Sequence, residues 1–180
     1  IGIALPLHAF AAEPDSEAID AVLLLDGSGS MLATDPQRLR DEGAKLFVQS
    51  LREGDRLAVV EFSEKANVLR PLLPYSPDNS DVIVSAIESI KNEGEYTDLY
   101  AAVESARNLL ESDPRDDARQ VVILLSDGKM DPNPQRGTSE QRTRDLLDHL
   151  LLGLKAKEIK VYTLYFSEQA DQELLSRIAA

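Results

Sequence analysis

Asp26, Ser28 and Ser30 stand in the run Asp26-Gly27-Ser28-Gly29-Ser30, a D-x-S-x-S spacing that sets one carboxylate and two hydroxyls on alternate residues. The intervening glycines let the backbone turn sharply, so the three side chains can aim their oxygens at a common point. Hard cations such as Mg²⁺ take oxygen donors of this kind and often keep several waters. Ser126-Asp127-Gly128 places a second carboxylate beside a glycine at the end of an apolar run, and Thr97 offers another hydroxyl shortly after Gly94. Each piece also has a plainer reading. D-x-S-x-S can be a Gly-Ser turn whose side chains cap backbone groups, Asp127 a turn residue and Thr97 a helix N-cap.

The elements that must carry these residues decide whether they meet. Apolar runs of strand length occur at Ala21 to Leu25, Leu57 to Phe62, Ala66 to Leu69, Val121 to Leu125 and Ile159 to Phe166. They are rich in Val, Ile, Leu and Tyr, as strands are. AVLLLD and VVILLSD lack apolar/polar alternation, the pattern of central parallel strands buried on both faces. Between the runs the period is helical. Asp35-Pro36 reads as an N-cap before a first-turn proline, followed by a face of Leu39, Gly43, Leu46, Phe47 and Ser50, with Gly43 allowing close approach to the sheet. Further stripes are Val82, Ile83, Ala86, Ile87 and Ile90; Leu99, Ala102, Val103, Ala106 and Leu110; and Leu146, Leu147, Leu150, Leu151 and Leu154. A last one, with Leu174, Leu175 and Ile178, begins near Asp171.

Alternating strands and helices predict an α/β fold with a doubly wound, mostly parallel sheet and helices on both faces. Such sheets bind ligands at the carboxyl ends of their strands. Asp26 and Asp127 follow strand runs and Thr97 precedes a helical one, so all three elements are expected at that edge. Ser112 to Asp117 and Asp131 to Gly137 read as exposed loops.

Composition narrows the chemistry. The 180 residues suit one domain. With 32 acidic against 19 basic residues the net charge is −13, which repels a polyphosphate backbone and argues against nucleic-acid binding. The absence of cysteine excludes disulfides, thiolate metal sites and a cysteine nucleophile. Ile1 to Ala12, IGIALPLHAFAA, reads as the remnant of a secretory signal peptide with an A-x-A-like site at Ala9-Phe10-Ala11, and residues 13–17 as a short polar lead-in. A packed N-terminal arm or the end of a membrane anchor are the alternatives. No other stretch approaches the roughly 18 apolar residues that a membrane span requires.

From Ala18 to about Ala179 the chain resembles the von Willebrand factor A domains, whose best-known relatives are the integrin inserted domains. The resemblance rests on IDAVLLLDGSGSM, DRLAVVEFS, GEYTDLYAAV, VVILLSDG and IKVYTLYFS, in that order and spacing. It implies a Rossmann-like fold over residues 18–180, cut just after its last helix, and a metal-ion-dependent adhesion site. Carried over residue by residue, Ser28 and Ser30 would ligate the metal directly. Thr97 would do so directly or through water, and Asp26 and Asp127 mostly through waters and hydrogen bonds. All five positions of that pattern are present. The metal implied is Mg²⁺, with Mn²⁺ or Ca²⁺ as alternatives, and the partner is a protein presenting Asp or Glu to the open coordination position. That use is non-enzymatic, in adhesion or envelope-complex assembly, in an extracytoplasmic protein of bacterial type with any membrane anchor outside this chain. The segment Asp171 to Ala180 corresponds to a helix that shifts in some members.

Two other function classes were weighed. A strand-end aspartate with Mg²⁺ can be the nucleophile of a phosphoryl-transfer enzyme. Against it, Ser28 stands where haloacid dehalogenase-like phosphatases place a second carboxylate, and no Walker-type G-x-x-x-x-G-K-[ST] loop is present. A structural module without ligand capture is the third. Asp98 is expected as a first-turn residue favourable to the helix dipole rather than as a ligand. Met31, Leu32, Thr34, Tyr96, Tyr100, Lys129 and Met130 are rim candidates, with Met31 and Tyr96 equally able to pack beneath the loops. His8 and His149 are read as non-ligands.

Overall fold

The computed structural model of the protein describes residues 17–179. The expected signal remnant, its Ala9-Phe10-Ala11 site and His8 lie outside those residues. The sheet has the order β3-β2-β1-β4-β5, built from β1 (Ala18–Asp26), β2 (Arg56–Phe62), β3 (Ala66–Pro74), β4 (Ala118–Leu125) and β5 (Lys160–Leu164). β1 pairs in parallel with both β2 and β4, and β4 in parallel with β5. Only the edge strand β3 is antiparallel. The sheet is therefore mostly parallel, as expected. β1 is buried continuously from Asp20 to Asp26, which is why its sequence does not alternate. β3 runs five residues past the expected Leu69, to Pro74. Pro71 masks that extension in the sequence, because proline is tolerated in a strand only where its missing donor faces no partner, as at an edge.

Side chains of β1 alternate between two apolar layers. Val22 and Leu24 face one layer with α4 (Leu99–Ser112), α6 (Leu151–Ala156) and α7 (Gln172–Ile178), while α5 (Ser139–Asp145) lies against α4 and buries none of its own residues. Ala21, Leu23 and Leu25 face the other with α2 (Leu39–Ser50) and α3 (Ser80–Glu88). Helices thus cover both faces, and α1 (Met31–Thr34) is a single turn at the sheet's carboxyl edge.

The α4 stripe is buried at every expected position. Two other helices depart from their patterns. In α2 the inward residues are Arg40, Asp41, Ala44 and Val48, while Leu39 and Leu46 are exposed and Gly43 and Phe47 lie on the flank. The helix is rotated by about one residue, because a polar pair that hydropathy cannot recognise is buried on its inner face. Its start also differs: Asp35 is not adjacent to the helix, yet its carboxylate accepts from the amides of Leu39 and Arg40 and satisfies the first turn across a bend. In α3, Val82 is exposed and Ile83 and Ile87 carry the packing. The leucine-rich stripe is not one regular helix. A π turn, Leu146–Leu150, joins α5 to α6 and keeps Leu146, Leu150 and Leu154 inward.

At the amino end of the sheet, fully buried Asp20 receives forked bonds from Arg56 (2.8 and 2.5 Å) and a bond from Arg115 (2.5 Å). Burial pushes this carboxyl up, but the two guanidiniums outweigh it and hold it below the ordinary aspartate range. Asp20→Asn removes the carboxylate that Arg115 and Arg56 share, leaving Arg56 only the exposed Asp113, and is expected to cost about 3 kcal/mol at neutral pH in urea unfolding. A carboxyl depressed by folding stabilises above its unfolded pKa and loses that contribution as pH falls through the folded value. Parent and variant should therefore differ at pH 7 and converge in acid.

Candidate functional site

β1 ends at Asp26 and the chain crosses at once to its neighbours: the Gly27 amide donates to the Phe62 carbonyl at the end of β2 (2.7 Å). The 27–30 loop then meets the segment before α4 in a short parallel bridge between Ser28 and Gly94. Gly29 donates to the Gly94 carbonyl (2.8 Å) and Gly94 returns a bond to Gly27 (3.0 Å). No side chain fits at Gly94, since a Cβ there would stand 2.2 Å from that of Ser63. Three residues on, Thr97 and Asp131 exchange backbone bonds of 2.7 and 2.9 Å, joining the α4 approach to the segment after Asp127. The loops after β1 and β4 and the loop before α4 thus converge on the carboxyl edge.

Asp26 has no exposed surface. One carboxylate oxygen accepts from the Ser28 amide (2.9 Å), the local turn bond of the plainer reading; the other accepts from the Ser126 hydroxyl (2.5 Å), across the sheet at the end of β4. The second bond is not part of a Gly-Ser turn. Burial pushes the Asp26 carboxyl up to about 6; the bonds from Ser126 and Ser28 oppose this, and the nearby charge of Asp127 adds to it. Asp127, also buried, accepts from the Thr34 hydroxyl (3.1 Å) and the Lys129 amide (3.2 Å). Asp20, Asp41 and Asp98 each face a guanidinium. Among the described residues no Lys, Arg or His side chain pairs with Asp26 or Asp127.

The hydroxyls of Ser28 and Ser30 lie 3.0 Å apart. Neighbouring ligands of an octahedral Mg²⁺, with bonds of about 2.1 Å at right angles, are about 3.0 Å apart. Thr97 is buried, but the N-cap of α4 is Asp98, whose carboxylate accepts from the Ala101 amide (3.0 Å). The N-cap reading of Thr97 therefore fails, and its hydroxyl makes no hydrogen bond to protein among the described residues. Asp98 sits one position before the expected first turn and is held by Arg142 at 2.5 Å. Among the described residues no group of three or more His, Cys, Asp or Glu could hold a metal. A cation at this edge would rely on hydroxyls and water as much as on carboxylates, and the Ser, Thr and Asp set present fits a hard cation.

The rim divides. Leu32 and Lys129 are exposed, Tyr96, Tyr100 and Met130 half-buried, and Met31 and Thr34 buried. Met31 packs beneath the loop, and Thr34 is a partner of Asp127 rather than a rim group. Arg142 lies over the Tyr100 ring, 4.2 Å from its centroid. His149 is exposed on the π turn, away from this edge. Sequence reasoning missed the hydrogen bonds of Ser126 to Asp26, of Thr34 to Asp127, and of Arg40 to the Asp26 carbonyl and Asn92. Ser126 was visible within VVILLSDG; Arg40 was not, because a charged residue on a helix reads as solvent-facing.

Comparison with known proteins gives a family-model match over residues 21–129, described as the von Willebrand factor type A domain. A protein of Treponema pallidum (strain Nichols) is 30% identical over 132 residues, covering 69% of this chain and 57% of that protein. The chain thus spans little more than half the length of that relative. Proximal thread matrix protein 1 from the mussel byssus superposes with a TM-score of 0.72 at 22% identity, over 92% of this chain and 42% of that one. A further structure of the mussel protein has a zinc-occupied MIDAS motif (TM-score 0.71, 21% identity, 94% and 43% covered). Manganese-loaded Plasmodium vivax TRAP protein gives 0.69 at 22% identity, over 91% and 63%. At these identities the structural likeness speaks for the fold.

Proposed function

This chain belongs to the von Willebrand factor type A domain family, and from that premise we propose that it is a divalent-cation-dependent protein-binding module. Ser28 and Ser30 hold the cation directly, Thr97 directly or through water, and Asp26 and Asp127 mainly through water and hydrogen bonds. The cation is Mg²⁺, or Mn²⁺ or Ca²⁺ in its place. Its open position takes an Asp or Glu side chain of a partner protein, in adhesion or in assembly of an envelope complex. The observation that carries this reading is the pair of Ser28 and Ser30 hydroxyls at octahedral-edge spacing, beside a fully buried Asp26 whose carboxylate has no cationic partner among the described residues. The zinc-occupied MIDAS motif of the mussel protein and the manganese-loaded Plasmodium protein support binding of a divalent metal by proteins of this fold.

A binding role is favoured over phosphoryl transfer by the state of Asp26. Both of its oxygens are engaged, one by the Ser28 amide and one by Ser126, in a side chain without solvent access. A nucleophile must reach the phosphoryl group directly, and a carboxylate with no accessible surface does not. Because neutral hydroxyls provide much of the inner shell, the cation keeps its electrophilicity toward a partner carboxylate. We place the protein outside the cytoplasm, on the reading of Ile1 to Ala12 as a signal remnant; among the described residues no helix is long and apolar enough to cross a membrane.

The experiment is a calorimetric titration of Mg²⁺ and Mn²⁺ into the parent and into a Ser28→Ala/Ser30→Ala double variant. Binding by the parent and a loss of at least about a hundredfold in affinity in the variant are expected. Equal binding by the two proteins would overturn the site, and a parent that binds neither ion would overturn the function.

A further inference from the structure

The most deeply buried cationic side chain among the described residues lies beside the site and is no metal ligand. Arg40, 1% exposed, enters from the inner face of α2. One of its terminal nitrogens donates both to the backbone carbonyl of Asp26 and to the side-chain oxygen of Asn92, the latter at 2.7 Å. Its remaining nitrogens donate to Asp41 at 2.9 and 2.7 Å. Asp41 in turn accepts from Arg38 (2.6 Å), which donates to the Ile90 carbonyl at the end of α3 (2.9 Å).

The two groups joined by that shared nitrogen begin the two segments from which the candidate ligands hang. Asp26 opens the loop that carries Ser28 and Ser30. Asn92, held at φ +57°, begins the turn into Gly94 and Thr97. The Ser28–Gly94 bridge closes the same two segments from the other side. Burying a guanidinium costs several kcal/mol even when it is paired, and an apolar side chain of similar volume often serves stability as well. What an apolar side chain cannot do is donate to two acceptors on different loops at once.

We propose that Arg40 is a positioning residue of the cation site, fixing the Asp26 carbonyl and the Asn92 side chain and with them the two loops that carry Ser28, Ser30 and Thr97. The inference rests on the cation-site reading above. Replacing Arg40 also removes its two bonds to Asp41, which keeps its bond to Arg38, so a change at Asn92 is needed to isolate the junction between the loops.

The test compares the parent with Arg40→Met, Asn92→Gly, Asn92→Asp and Arg56→Met. Arg56 is a buried, ion-paired arginine at the opposite end of the sheet and controls for loss of stability alone. Two quantities are read: Mn²⁺ affinity by electron paramagnetic resonance, and amide hydrogen exchange of Gly29 and Gly94 in cation-free protein. Arg40→Met is expected to weaken Mn²⁺ about ten- to a hundredfold, as loss of an outer partner does at metal sites. It should also speed exchange at both amides by about tenfold. Asn92→Gly, which keeps the left-handed turn and removes only the acceptor, should shift both readouts the same way and remains informative if Arg40→Met does not fold. Asn92→Asp retains an acceptor and should hold the parental values, while Arg56→Met should lower the unfolding midpoint and move neither readout. Parental affinity and exchange in both Arg40→Met and Asn92→Gly would overturn the positioning role while leaving the cation site standing. A parent that binds no Mn²⁺ would overturn the cation reading instead, and the exchange rates would still decide what Arg40 holds in place.

Discussion

Asp26→Asn is expected to give a folded protein that no longer responds to Mg²⁺ or Mn²⁺ and that, free of cation at pH 7, is more stable than its parent. The two effects have one cause. Asp26 is wholly buried, its neighbour Asp127 is acidic, and burial holds its carboxyl at about 6. A carboxyl raised by folding favours the folded state below its unfolded pKa and loses that contribution as pH rises through the folded value. At pH 7 the ionised group therefore works against the fold, by an amount on the order of 2–3 kcal/mol. Asparagine is nearly the same shape. Its amide oxygen can accept from the Ser28 amide, and its nitrogen can donate to Ser126 once that hydroxyl turns. The charge cost disappears and the bonds remain. A cation relieves the same cost in the parent, so thermal unfolding with and without Mn²⁺ should show a rise in the parent and none in the variant. A parent-like rise in Asp26→Asn would remove Asp26 from the site; a variant less stable than the cation-free parent would show that its charge is not the group under strain.

Gly94→Ala is expected to damage the site far more than Gly27→Ala, a methyl added to the facing loop. The new carbon would fall 2.2 Å from the Ser63 Cβ, 2.7 Å from the Ser63 hydroxyl and 3.1 Å from the Gly27 carbonyl. Two of those neighbours are close to or part of the backbone and cannot swing away, so the Ser28–Gly94 bridge must open. Overpacking of this kind costs typically about 1–3 kcal/mol, and the lost bridge bonds add to it. Cation affinity should fall with stability, because Thr97 follows directly from this turn. Gly27→Ala is the informative contrast. The three atoms nearest its Cβ would all belong to the Glu61 side chain, a carboxylate oxygen closest at 2.7 Å. That chain can rotate aside, and the variant should unfold close to the parent in urea. Equal loss in the two variants would show that the Gly94 contact is not what joins the loops.

The candidate ligands were legible because they lie in short runs with their own grammar. Asp26, Ser28 and Ser30 are separated only by glycines, and Asp127 follows an unbroken apolar strand. Their convergence at one sheet edge was also legible, since buried strands without alternation can only be central and parallel. The inner face of α2 was not. Periodicity places Leu39 and Leu46 inward, yet Arg40 and Asp41 occupy that face because their charges answer one another and the Asp26 carbonyl. Hydropathy assigns each residue a value by itself and has no term for a partner elsewhere in the chain. The cap of α4 failed in a milder way: Thr97 and Asp98 are both good caps in isolation, and only the fold assigns that task to Asp98 and leaves the Thr97 hydroxyl free.

The sequence by itself determined the α/β class and pointed to the edge where Asp26, Ser28, Thr97 and Asp127 meet as candidate oxygen donors, because these follow from local spacing and from the burial pattern of single strands. Tertiary structure alone decided what holds the donors: Ser126 on Asp26 from across the sheet, Thr34 on Asp127, and Arg40 between Asp26 and Asn92. Those bonds join residues far apart in the chain, and no periodicity encodes them. They depend on which loops the completed sheet brings within about 3 Å of one another, the reach of a hydrogen bond.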